Sequence, residues 1–284
     1  MNTFTRLFCL LIVNICIAQS EPQAFEIYNA HGKKVSYKKM MRNLTKADLV
    51  FFGETHNDPI AHWLQLEMAQ EFVQKRALIL GAEMLESDNQ DELNQYLEGN
   101  ISDKEFAETA RLWSNYKTDY KPVVDFAKAQ KIPFVATNIP RRYASLVYKN
   151  GLKVLDTLPQ QEKQWMASLP IFFDPSLPTY EAIDKMGGHG GGSFMAASQA
   201  SKDATMAHFI VKNIKPNHLF FHLNGSYHTK NREGIVWHVR IKRPDLQILT
   251  IATVAQKNIH TLEAAFENEA DYIIVIPTNM TKTY

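Results

Sequence analysis

Short apolar runs recur along the chain, and helix-spaced polar segments separate several of them. Six runs predict strands: LVFFG (49–53), ALILGAE (77–83), IPFVATN (132–138), HLFFHLN (218–224), LQILTIA (246–252) and DYIIVIP (271–277). Most lack strict apolar–polar alternation, the pattern of strands covered on both faces. After the first run, Asn57 or Asp58 can cap a helix that takes Pro59 in its first turn. Ile60, Leu64, Met68 and Phe72 then follow at near-helical spacing, and YKPVVDFAKAQK (120–131) predicts a second helix. Strand and helix alternating in this way predict an α/β fold with a mostly parallel sheet wrapped by helices. The rhythm stops over about residues 140–217, where no strand pattern occurs and SQASKDATMAHFI is helical. That stretch reads as a helical insertion in the α/β core.

Composition sets outer limits. The chain has 284 residues, 45% hydrophobic and 21% charged, with 31 basic and 30 acidic side chains. This is ordinary globular composition, and the balanced charge offers no electrostatic footprint for nucleic acid. At the N-terminus, Arg6 precedes LFCLLIVNICIA (7–18), an apolar core too short to span a bilayer, followed by AQS. Residues 1–20 are therefore expected to be a signal peptide and residues 21–284 a single α/β domain of a secreted protein. Lipoprotein processing at Cys16 is the alternative, although VNIC is a poor lipobox. Cys9 and Cys16 are the only cysteines, so the mature chain has no internal disulfide.

Chemistry gathers where the runs end. In a parallel α/β sheet, sites form at the C-terminal strand ends. The first run exits into Glu54 and His56, the second into Glu83, the third into Asn138 with Arg141 and Arg142 beyond, and the fourth into Asn224, Gly225 and His228. GETH and GSYH place a GxxH motif at two separate exits. Such imidazoles and carboxylates could bind a divalent transition metal through His56, His228 and Glu54. They equally suit a general base and its orienting partner. Arg141 or Arg142 could neutralise an anion. His62 and Gln65 share a helix face and could stand behind His56, whereas His208 and His222 read as structural. Each of these residues also has a bland alternative as a salt-bridged or packed side chain. In the insertion, Tyr180 and His189 lie around GGHGGGS, near Trp165, Met166, Phe172 and Phe173. Tyr or His with apolar neighbours suits an axial haem bond; the same residues also suit a surface loop over ordinary core aromatics.

The stretches VFFGETHNDPIAHWLQLEMA, LILGAEMLESDNQDELNQYLEG, DYKPVVDFAKAQKIPFVATNIPRRYA, SQASKDATMAHFI and LNGSYHTKNREGIVWHV occur in that order. Together they resemble the ChaN-like haem-binding lipoprotein family, within the Tiki/erythromycin-esterase-like superfamily. The resemblance implies a three-layer α/β core with a helical insertion. It also implies a periplasmic or outer-membrane-associated protein of haem or iron uptake, with haem held at a homodimer interface through tyrosine with a histidine nearby. An outer-membrane haem receptor is the partner expected of such a protein. Tyr180 and His189, then Tyr143 and Tyr148, are the candidate haem residues. The superfamily's hydrolase branch implies a second reading, an enzyme using His56, His228 and Glu54 or Glu83, with Arg141 or Arg142 at the NxPR position. Its cofactor would be manganese, cobalt or zinc.

Overall fold

One seven-stranded sheet runs through the computed structural model, which describes residues 23–186 and 194–284. The strands are β1 (Glu26–Asn29), β2 (Leu49–Glu54), β3 (Ala77–Glu86), β4 (Phe134–Asn138), β5 (His218–Gly225), β6 (Ile248–Gln256) and β7 (Tyr272–Pro277). Their order is β1-β7-β6-β2-β5-β3-β4. β1 pairs antiparallel with β7, and the other neighbours run parallel. All six expected runs are strands. β1 is an addition, and β6 continues four residues past the expected end.

The doubly covered sheet follows from the continuous apolar runs. Val50, Phe52, Leu80 and Phe221 enter one core with Met68 and Phe72 of helix α2 (Pro59–Val73). Their neighbours Leu49, Phe51, Ile79 and Phe220 enter the opposite core, with Met206 and Ile210 of α8 (Met195–Asn213) and Val236 of α9 (Ile235–Lys242). Successive side chains of one strand point to opposite faces, so a run without polar positions needs helices on both sides. Each fully buried phenylalanine contributes about 1.5–3 kcal/mol of transfer free energy. The three-layer α/β architecture is as expected.

Local signals place the helices. The Asp58 side chain accepts from the N–H groups of Ile60 and Ala61, and Pro59 occupies the first turn of α2. On the same side of the sheet lie α1 (Tyr37–Leu44), α3 (Gln90–Glu98), α4 (Asp103–Thr109) and α5 (Lys121–Gln130). Between β4 and β5 the described residues contain no strand. They form α6 (Arg141–Asn150), α7 (Pro178–Met186), α8 and short 3-10 turns. α8 packs on β4, α6, α7 and α9, which joins the insertion to the sheet. Near the C-terminus the Thr283 N–H reaches the Asn57 carbonyl at 3.0 Å, and Lys282 reaches Asp58 at 2.7 Å. Among the described residues no helix is long and apolar enough to cross a membrane. The expected signal peptide, Cys16 and His189 lie outside the described residues.

Candidate active site

Parallel register brings the strand exits level. Glu54 of β2 sits beside Gly225 of β5, and Ala82 of β3 pairs with Leu223, so Glu83 emerges at the same crest. Glu54, Glu83 and His228 are buried there, and the His56 side chain keeps 34% of its surface exposed.

Glu54 anchors the first half of the site. It holds His56 Nδ1 at 2.9 Å and accepts the Tyr120 hydroxyl at 2.6 Å and the Gln65 amide at 2.5 Å. His62 Nε2 lies 3.0 Å from the His56 carbonyl, to which Asn115 also donates at 3.1 Å. His62 and Gln65 thus stand behind His56, as their shared helix face suggests. The outer edge of His56 rests on Trp113, with ring centroids 4.9 Å apart. Burial works against a charged His56. The Glu54 hydrogen bond and the charges of Glu83 and Glu54 outweigh it, and despite opposition from His228 they raise the pKa above its ordinary value.

The second half is an imidazole between two acids. His228 Nε2 faces Glu83 at 3.0 Å, and Nδ1 faces Asp203 at 2.5 Å. Burial disfavours the imidazolium, but Glu83 and Asp203, by charge and hydrogen bond, push its pKa up to about 9. With both nitrogens protonated, each donates to one carboxylate. Burial likewise opposes the Glu83 anion. His228, His56 and the Gly225 N–H, which donates to it at 2.7 Å, hold it ionised well below the usual carboxylate range. Asp203 accepts in turn from the Tyr180 hydroxyl at 2.8 Å. A chain of polar contacts therefore runs from α7 through α8 and the loop after β5 to β3.

Gly225 joins the two halves. A Cβ there would lie 2.8 Å from His56 Cε1 and Nε2, and 3.4 Å from Glu83 Oε2. The His56 ring can occupy this place only over a bare Cα. His222 sits deeper, bonded to Thr137 at 2.8 Å and Asn224 at 3.0 Å. Burial lowers its pKa to about 4, which fits a neutral structural residue.

Other sequence candidates fall elsewhere. Arg142 pairs with Asp88 at 2.5 Å and receives the Tyr143 ring at 4.4 Å, and Arg141 is exposed. Of the two arginines expected to neutralise an anion, Arg142 is engaged in an ion pair, because Asp88, in the turn after β3, faces the start of α6. Tyr143 is buried and gives its hydroxyl to Glu162 at 2.6 Å. Tyr180 has no exposed surface and is committed to Asp203. Neither phenol offers an open axial position as folded. Tyr148 is 42% exposed. Asp203, Gln199, Tyr120 and Trp113 join the site without having been anticipated; Gln199 lies 2.9 Å from His228 Nδ1.

The expected metal set of His56, His228 and Glu54 does not fit a cation. His228 has no lone pair to give, since both nitrogens face carboxylates, and Glu54 is spent on His56, Gln65 and Tyr120. Among the described residues, no group of three or more His, Cys, Asp and Glu side chains is arranged to hold a metal ion.

Comparison with known proteins places these observations. The family model described as haem-binding uptake, Tiki superfamily, ChaN matches residues 40–239. The fold is similar to a structure described as cofacial heme binding to ChaN of Campylobacter jejuni, at 20% identity and a TM-score of 0.61, covering 89% of this chain and 96% of that one. A Bacillus cereus protein is 11% identical with a TM-score of 0.52, covering 84% and 90% of the two chains. A variant of the erythromycin esterase EreC in its open conformation is 8% identical with a TM-score of 0.48, over 89% and 83%. No curated protein matches the sequence.

Proposed function

This chain belongs to the ChaN family of haem-binding uptake proteins in the Tiki superfamily, and on that premise we propose that it is a secreted or periplasmic protein that binds haem for iron uptake. The family match over most of the chain carries this reading. Cofacial heme binding, as described for the Campylobacter jejuni relative, would need two haems face to face. A homodimer sharing them is therefore part of the proposal, with a membrane receptor as haem donor or acceptor.

We infer that haem would sit in the insertion at Tyr148. Haem needs an axial donor, apolar surface for the porphyrin and cations for its propionates. Tyr148 is exposed at the last turn of α6, and its carbonyl accepts the N–H of Phe194, itself 49% exposed. Lys149 and Lys153 are exposed close by in sequence. Tyr148 would supply the axial oxygen, Phe194 the apolar contact and the lysines the countercharge. His189 stays a sequence candidate only and lies outside the described residues. When bound, haem supplies the iron being transported.

The test is a haemin titration of purified protein, read at the Soret band. A saturable shift is expected, weakened about tenfold or more in Tyr148→Phe. An unchanged shift in that variant removes Tyr148 as ligand, and no shift in the wild type removes the haem reading.

A second reading rests on His56. Its Nδ1 is fixed by Glu54 and its ring is partly open at the crest beside Glu83. An imidazole so oriented can take a proton from water or a hydroxyl, the arrangement of a hydrolase working by general acid–base chemistry. p-Nitrophenyl acetate hydrolysis tests it: turnover should fall about 100-fold or more in His56→Ala, and equal turnover in wild type and variant would discard the enzyme.

A further inference from the structure

The β4 side of the sheet carries a cavity, remote from the crest. Phe134 is the first residue of β4, whereas Asn138, at its other end, faces the crest. A groove of about 830 Å³ lies along this edge, between α3 and α5 on one side and α8 on the other. Leu97, Ile132, Phe134 and Phe209 give it an apolar floor, and Lys128, Lys131 and Lys212 stand on its rim. The Lys128 ammonium lies 3.9 Å over the Tyr96 ring, which holds it at the margin. Glu98 is the only acid in the lining, so the rim carries three positive charges against one negative.

Three observations narrow the occupant. The volume is that of a small-molecule pocket. The edge of β4 is already closed, because the Gln90 side chain donates to the Phe134 carbonyl at 3.0 Å and accepts the Ala136 N–H at 2.7 Å. An added β-strand would find those groups taken. The lining contains no His, Tyr, Cys or Met, so it offers haem iron no customary axial ligand. Apolar walls with a cationic rim complement one chemical class.

We propose that this groove binds an apolar carboxylate of the fatty-acid class, tail along the Leu97–Phe134–Phe209 floor and head at the lysine rim. The site is separate from the haem reading and stands or falls without it.

Isothermal titration with sodium laurate, kept below its micelle concentration, tests the proposal. Saturable 1:1 binding is expected. It should weaken about tenfold in the Lys131→Glu/Lys212→Glu double variant, and similarly when 1-dodecanol replaces laurate. Lys131 and Lys212 are both exposed, so the variant keeps the fold; its melting temperature checks this. Haemin should leave laurate binding unchanged. Absence of saturable binding, equal affinity of the double variant or of dodecanol, or displacement of laurate by haemin would each overturn the assignment.

Discussion

Glu83 and His228, 145 residues apart in the chain, meet at 3.0 Å with less than a tenth of either side chain exposed. The contact is an ion pair, because carboxylates on both sides of the ring, Glu83 and Asp203, favour the imidazolium.

That geometry sets a pH profile. The folded pKa of His228, about 9, lies above its ordinary 6.5, so its stabilisation is complete below pH 6.5 and is lost as pH rises through 9. The shift corresponds to about 3 kcal/mol. His222 works in the other direction. Its folded value of about 4 means that its contribution is present above pH 6.5 and is lost as pH falls towards 4. Melting temperature followed by circular dichroism should therefore peak near pH 6.5. The alkaline decline should flatten in His228→Gln, and a wild-type profile level to pH 10 would contradict the ion pair.

Gly225→Ala separates site from fold. The new methyl meets the tip of the His56 side chain, which can swing outward. A stability loss of about 1 kcal/mol is expected, together with a marked shift of the His56 imidazole signals by NMR. Gly234→Ala should behave differently. Its φ is +53°, and a Cβ would fall 2.4 Å from the His228 carbonyl, a backbone atom. Urea denaturation should show a loss of about 3 kcal/mol or more.

Tyr180→Phe leaves one Asp203 oxygen buried without its donor. The expected cost is about 1–3 kcal/mol in urea denaturation, with haemin affinity unchanged. A lost Soret shift at wild-type stability would instead mean that Tyr180 reaches haem.

Gln90→Ala uncovers two backbone groups on β4. Stability should fall by about 1 kcal/mol, and sedimentation velocity should show concentration-dependent self-association through the freed edge. A strictly unchanged sedimentation coefficient would show that α3 and α8 shield the edge without Gln90.

The sequence revealed the sheet because six of its strands are apolar on both faces. β1 escaped notice: EIYN is four residues long, too short for any period to register, and it is placed by β7. At the crest, Glu54, His56, Glu83 and His228 were legible because each follows an apolar run directly. Asp203 was not, since it arrives from a helix. The available signal was Gln199 and Asp203 four apart among alanines and serines, two polar groups on a helical face otherwise fit for burial. The ion pair of Arg142 was hidden for a related reason: proximity to a strand end gives no information about Asp88, which reaches it from another loop.

The two GxxH histidines also part company in three dimensions. His228 is immobilised between acids, while His56 is held by one nitrogen and meets solvent with its ring. Identical spacing in the chain therefore ends in opposite settings, one ring enclosed between two acids and the other reaching solvent. Substituting both as though they were equivalent would mix a collapse of architecture with a change in chemistry.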